Sequence, residues 1–166
     1  MTTRWLTAEE GRAWLAYIDL STLLDDYLDR QLRRDAGITH ADYALLTRLS
    51  AAPDRSLGMS QLAASLKFTP SRLTHAVRRL EQAGYVQRRS HPTDRRVQLA
   101  VLTQPGVALL TRASPGHVEA VRRVVFDVLT HDQVRQFTEV AETIIQALLG
   151  TGGDSAYLAD HPWRRR

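Results

Sequence analysis

"PSRLTHAVRRLEQAGYVQRRSHPTDRR", residues 70–96, carries seven arginines against two acids, Glu81 and Asp94. Its first half reads as a helix. Pro70 suits the first helical position behind a capping Thr69, and Gly84 is a natural stop. At about 100° per residue, Leu73, Ala76, Val77 and Leu80 share one face, which must be the buried one. Ser71, His75, Arg78 and Gln82 fall opposite, with Arg72, Thr74 and Arg79 on the flanks. The outer face thus offers hydroxyls, an imidazole, an amide and guanidinium groups, with Glu81 its sole acid near the end.

On the N-terminal side, "SQLAASLKF" is a short helix capped by Ser60 that buries Leu62, Ala63 and Leu66. Only a tight turn around Lys67 and Phe68 separates it from the arginine-rich helix. Two short helices so joined suggest a helix-turn-helix. On the C-terminal side the pattern turns β-rich. Tyr85–Arg89 and Val97–Leu102 read as a two-stranded hairpin around "SHPTDRR", whose Pro92, Thr93 and Asp94 favour a turn.

Further out the pattern is helical. Thr7 with Glu10 forms a capping-box pattern that opens one long amphipathic helix to Asp35, with Trp14, Tyr17, Ile18, Leu24 and Leu28 at helical spacing and Gly37 as its stop. Thr39 caps a second helix bearing Tyr43, Leu45, Leu46 and Leu49. "AAPDRSLG", residues 51–58, reads as a loop. Thr103, with Pro105 near the first position, opens a helix to about Arg112, which "SPG" at 114–116 breaks or kinks. Helices at Val118–Leu129 and Gln133–Leu149 follow, and residues 151–166 are expected to form a flexible tail.

Charge and composition narrow the function. Residues 1–37 hold five arginines against seven acids, so the basic patch at 70–96 is focused on a body of modest net charge, +4 overall. That is the electrostatic footprint of a nucleic-acid binder. The major groove accepts such groups, above all Arg on guanine O6 and N7, and the narrow minor groove draws guanidinium from a hairpin tip. Asp94, two residues before Arg96, is placed to orient that side chain. With no cysteine, disulfides and thiolate metal sites are excluded. The six histidines lack metal-ligand spacing, so no metal and no cofactor are expected. No apolar run approaches the roughly 18 residues of a membrane span and the start lacks a signal-peptide core, so a cytoplasmic protein with no membrane partner is expected. An enzyme would need a nucleophile elbow, a phosphate-binding glycine loop or a convergent carboxylate pair, and none is found. A protein-interaction module is disfavoured by the charge on the outer helix face.

"MSQLAASLKFTPSRLTHAVRRLEQAGYVQRRSHPTDRRVQLAVLT", residues 59–103, resembles the MarR (multiple antibiotic resistance) family of transcriptional regulators. The shared features are an LA-containing first helix, the "SRLTHAVRRLE" helix, the "AGYVQRR" exit, the D-x-R tip at Asp94–Arg96 and the Leu102–Thr103 entry, and the fit extends over residues 14–148. Val101 departs from it, because many relatives carry a basic residue there. The resemblance implies a mainly α fold with a small two-stranded β-wing: a winged helix-turn-helix plus a helical dimerisation region. It divides the chain into an N-terminal dimerisation helix (1–37), the DNA-binding lobe (38–103), C-terminal dimerisation helices (104–150) and the tail. It implies a homodimeric regulator on double-stranded DNA, most often a repressor on a pseudo-palindromic operator, released by a small phenolic or anionic aromatic effector. Ser71, Arg72, Thr74, His75, Arg78 and Arg79 would serve the major groove, Arg88 and Arg89 the phosphates from the wing strands, Arg95 the backbone, and Arg96, oriented by Asp94, the minor groove. Trp14, Tyr17, Tyr43 and Arg48 are the effector-pocket candidates. The apolar C-terminal stripe, including Val121, Val124, Val128, Phe137, Ile144 and Leu148, exceeds what one winged domain covers and agrees with a dimer.

Overall fold

A computed structural model describes residues 2–150, so the expectation of a flexible tail at 151–166 lies outside the described residues. Six helices and three strands follow in the order α1 (Ala8–Ala36), α2 (His40–Ala51), β1 (Ser56–Gly58), α3 (Met59–Leu66), α4 (Pro70–Gln82), β2 (Val86–Ser90), β3 (Gln98–Leu102), α5 (Gln104–Val121) and α6 (His131–Gly150). The mainly α, winged helix-turn-helix class expected from the sequence is the one observed. Among the described residues no helix is long and apolar enough to cross a membrane.

The caps explain the boundaries. Thr7 and Glu10 close a reciprocal capping box on α1, and Thr39 and Asp42 close another on α2. Gly37 ends α1 in the left-handed region (φ 70), a conformation with no Cβ to oppose it. Thr69 accepts the Arg72 N–H, and Pro70 starts α4 where its missing donor costs nothing. A cap of this kind stabilises by about 1 kcal/mol. The Ser60 cap is a correction: α3 begins at Met59 behind Gly58 and has no side-chain cap, because the chain enters it directly from β1.

That strand is the second correction. The sheet has three antiparallel strands in the order β1-β3-β2, with Leu57 opposite Ala100 and Arg88 also opposite Ala100. Ser56–Gly58 has no alternating pattern long enough to announce itself. Its strand character comes from pairing with β3, which lies some forty residues away.

The break expected at "SPG" is the third correction. α5 runs unbroken through Pro115 to Val121 and then passes into a wider π-helical turn at Arg122–Phe126, closed by Asp127 N–H to the Arg122 carbonyl (2.8 Å). Proline removes one main-chain donor and crowds the preceding turn. Here Ser114 Oγ donates to the Leu110 carbonyl (2.7 Å), and Ala113 and Ala120 are buried on either side of the proline. Packing along α1, where Gln31 and Asp35 approach Gly116, holds the helix through a residue that local propensity would use to end it. α6 starts at His131, capped reciprocally by Thr130 and Gln133.

One core joins these pieces. Leu32 and Ile38, Leu45, Leu46 and Leu49 of α2, Leu62 of α3, Leu73, Val77 and Leu80 of α4, Val86, Ala100 and Leu102 of the sheet, and Leu109 of α5 are all buried in it. Each fully buried Leu or Val contributes roughly 1.5–3 kcal/mol. The core fixes α4 by its apolar side and leaves the opposite side to solvent. Gly106 fixes the sheet against α5: a Cβ there would collide with the Tyr85 main-chain oxygen and stand 2.6 Å from Leu102 Cδ1.

The outer ends of the molecule differ. Trp14, Leu15, Tyr17, Leu20 and Leu23 on α1 are exposed, as are Phe137, Val140, Ile144 and Leu148 on α6, and α6 buries no residue at all within the chain.

Candidate nucleic-acid interface

The turn between α3 and α4 is made by Lys67 in the left-handed region (φ 53), with its N–H and that of Phe68 closing on the Ala64 and Ala63 carbonyls. This turn directs α4 so that Ser71, Arg72, Thr74, His75, Arg78 and Arg79 are all exposed, as the helical spacing requires. The guanidinium of Arg72 lies over the Phe68 ring, 4.1 Å from its centroid, a cation–π contact that restrains a long side chain at the start of the helix. Thr74 Oγ1 donates to the Pro70 carbonyl (2.8 Å). Arg78 and the Nδ1 of His75 lie 3.0 Å apart.

Two of the arginines have internal partners. Arg79 reaches back to α2, where its Nη2 lies 2.6 Å from Asp42 Oδ1, and the Asp42 side chain is only 4% exposed. The second carboxylate oxygen of Asp42 accepts the Thr39 N–H (3.1 Å). Arg88 is held by Glu81 through its main-chain N–H (3.0 Å), Nε (2.9 Å) and Nη2 (2.7 Å). The guanidinium and the Arg88 amide together hold the Glu81 carboxyl below the usual carboxylate range. Helical and strand spacing place these arginines on the right elements but cannot reveal that each meets a carboxylate from another element.

The wing turn is built from its own polar groups. Asp94 Oδ1 accepts the main-chain N–H of Arg96 (3.0 Å), the Val97 N–H closes on the Asp94 carbonyl (3.0 Å), and the His91 N–H on that of Val97 (2.9 Å). Asp94 therefore shapes the backbone that carries Arg96 and does not hold its guanidinium, contrary to the sequence expectation. A short Asx turn satisfies the carboxylate locally before the longer arginine can reach it. Among the described residues, Arg72, Arg78, Arg89, Arg95 and Arg96 form no ion pair with a carboxylate. α4 and the wing thus present five guanidinium groups without a carboxylate partner among the described residues, beside the paired Arg79 and Arg88.

The effector candidates do not gather. Trp14 and Tyr17 stack on each other, centroids 5.7 Å apart, on the exposed part of α1. Tyr43 packs against His117 (4.4 Å between ring centroids), and its hydroxyl meets Ser114 Oγ at 3.0 Å. Arg48 is buried and lines a cleft of about 1040 Å³ formed by α1, α2, α3 and α4, together with Arg33, His40, Lys67, Phe68, Arg72 and Arg79. His117 lies inside continuous α5, its Nδ1 3.3 Å from Gln31 Oε1 on α1 and its ring near His40 on α2. Burial, and secondarily His40, lower its pKa to about 4. Among the described residues no cluster of histidines and acids has the makings of a metal site.

Two helices at a tight turn, the second presenting basic and hydroxyl side chains, and a hairpin with an arginine tip define the winged helix-turn-helix class of DNA-binding architecture. The model of the MarR family matches residues 38–97, which span α2 through the wing turn. The chain is 33% identical over 132 residues to the HTH-type transcriptional regulator PecS of Dickeya dadantii, covering 79% of this chain and 74% of that one. It is 33% identical over 108 residues to the HTH-type transcriptional repressor Rv2887 of Mycobacterium tuberculosis, covering 65% and 76%. Among solved structures, Sco3205 of Streptomyces coelicolor, a MarR family transcriptional regulator in complex with DNA, superposes with a TM-score of 0.86 at 48% identity over 95% of this chain and 98% of that one. This chain belongs to the MarR family of transcriptional regulators.

Proposed function

We propose that this protein is a cytoplasmic, sequence-specific DNA-binding repressor that acts as a homodimer on a pseudo-palindromic operator and is released by a small anionic aromatic ligand. The observation that carries the reading is the uncompensated positive face: α4 and the wing expose Arg72, Arg78, Arg89, Arg95 and Arg96, none with a carboxylate partner among the described residues. Ser71, Arg72, Thr74, His75 and Arg78 would enter the major groove, Arg89 and Arg95 would meet phosphates, and Arg96 on its Asp94-shaped turn would enter the minor groove. Crystallisation of Sco3205 with DNA supports the partner, and the repressor name of Rv2887 supports the sign of regulation.

The dimer rests on unburied apolar surface. Residues 8–36 and 104–150 would form the body, with the exposed apolar side chains of α1 and α6 covered by a second copy, while 38–103 form the lobe. Two-fold symmetry then presents two copies of α4 to half-sites about 10 bp apart. The cleft is lined by Asp25 and Asp29, which already holds Arg33, on its α1 side and by Phe68 and Arg72 on its α3–α4 side, and it is this second side that would receive a planar carboxylate by stacking and pairing with arginine.

The test is a titration of DNA from upstream of the protein's own coding sequence against an unrelated duplex, at two salt concentrations. Selective binding that weakens steeply with salt is expected, as is release by a phenolic carboxylate such as salicylate. Equal weak affinity for both duplexes at low salt would refute sequence-specific regulation at that site.

A further inference from the structure

Glu81 is the only carboxylate on α4, and it stands where two forces oppose it. It lies in the last turn of the helix, where the macrodipole disfavours a negative charge, and on the lobe that presents guanidinium groups to a polyanion. Its three bonds to Arg88 account for its presence. They come from one residue's main chain and side chain together, so Glu81 fixes both the path of β2 and the guanidinium that projects from it. The start of the hairpin is already tied to α4 by the Tyr85 N–H on the Leu80 carbonyl (2.9 Å) and to α5 by the Thr103 N–H on Tyr85 (3.1 Å). Arg88 is the next point of attachment. It pairs in register with Ala100, so whatever orients Arg88 orients both strands that lead to the tip.

We infer that Glu81 and Arg88 are positioning residues that set the angle between α4 and the wing, and that Arg88 acts through Glu81 and not as a phosphate contact. The inference rests on the DNA-binding reading above. A helix and a hairpin tip that must enter neighbouring grooves at once tolerate little error in their relative angle, so the pair would govern selective binding more than general attraction to DNA. It also predicts an effect opposite in sign to simple electrostatics. Neutralising Glu81 removes a negative charge beside a phosphate-binding surface, and on charge alone this would strengthen binding.

The experiment compares the full chain with Glu81→Gln, Arg88→Gln, the double variant and Arg88→Lys, on operator and unrelated DNA over a range of salt, and follows amide hydrogen exchange across residues 86–102 without DNA. Glu81→Gln is expected to weaken operator binding about two- to fivefold, the scale of a partly exposed ion pair, with affinity for unrelated DNA unchanged or raised. Arg88→Gln should lose as much with no change in salt dependence, the double variant should be no worse than either, and Arg88→Lys should recover part of the loss. Exchange at Arg88 and its strand neighbours should quicken in Glu81→Gln. Operator binding as tight or tighter in Glu81→Gln would overturn the inference, as would a salt slope lowered by about one in Arg88→Gln, the mark of a lost phosphate contact. Unchanged exchange in Glu81→Gln would overturn it independently of any DNA. If the wild type bound no duplex, the DNA reading would fall, and exchange alone would decide whether the pair holds the wing.

Discussion

Asp42 serves two elements with one carboxylate: one oxygen receives the Arg79 guanidinium from α4 and the other caps the N-terminus of α2. Arg79→Met would leave a buried carboxylate with only its cap bond. Because Arg79 itself is half exposed, the cost should be about 1–3 kcal/mol. Urea unfolding measures this directly. A change below about 0.5 kcal/mol would mean that the pair is incidental.

Gly106 sits where the start of α5 crosses the Tyr85 backbone. Gly106→Ala places a methyl group against the end of the Leu102 side chain and against a main-chain oxygen, and the latter cannot yield cheaply. A loss of about 1–3 kcal/mol is expected from such overpacking, with weakened DNA binding because the base of the wing moves. Thermal unfolding indistinguishable from wild type would show that the contact relaxes freely.

Acid should act through His117. Its pKa is about 4 in the fold against 6.5 for the free side chain, lowered first by burial and second by His40. Above pH 6.5 both folded and unfolded chains carry it neutral, and it adds no pH dependence. Between 6.5 and 4 the unfolded chain takes up a proton that the fold refuses, so stability falls as pH falls through that window, by on the order of 1–2 kcal/mol once solvent screening of a half-buried ring is allowed for. His117→Gln should flatten that part of the profile. The check is the difference in urea midpoint between pH 7.5 and 4.5, measured in both proteins, and an equal drop in both would exonerate His117.

At the wing, Arg96→Ala should weaken operator binding by about 1–3 kcal/mol. Asp94→Ala should weaken it less, because Asp94 shapes the turn without holding the guanidinium. Filter-binding or anisotropy titrations rank the two, and an Arg96→Ala protein with wild-type affinity would remove the wing tip from the interface.

Phe137→Asp on α6 should shift the molecule to a monomer in sedimentation velocity and abolish tight operator binding, because each lobe would then hold only one half-site. A monomeric wild type would refute the dimer.

Much of this was legible from residue order alone. Thr69, Pro70 and Gly84 bound α4, and the Leu73–Ala76–Val77–Leu80 row sets its rotation, because capping and helical period are local physics. β1 was not legible, since three residues acquire strand character only by pairing with β3. The unbroken course of α5 through Pro115 was hidden because packing on α1 overrides a local preference. The partners of Arg79 and Arg88 were hidden for the same kind of reason. Sequence shows that an arginine is exposed on a face, while only the fold shows which carboxylate from another element lies within its reach.

The continuity of α5 has a mechanical consequence. At 1.5 Å per residue its 18 residues make a strut about 27 Å long, leading from the base of the sheet to the apolar end of the molecule. A tilt of only about 5° at one end would displace the other by roughly 2 Å over that length. In a symmetric pair the two displacements would add. In such a pair, a strut continuous through Pro115 would convert a small adjustment in the body into a mismatch of several ångströms between the two lobes and their half-sites.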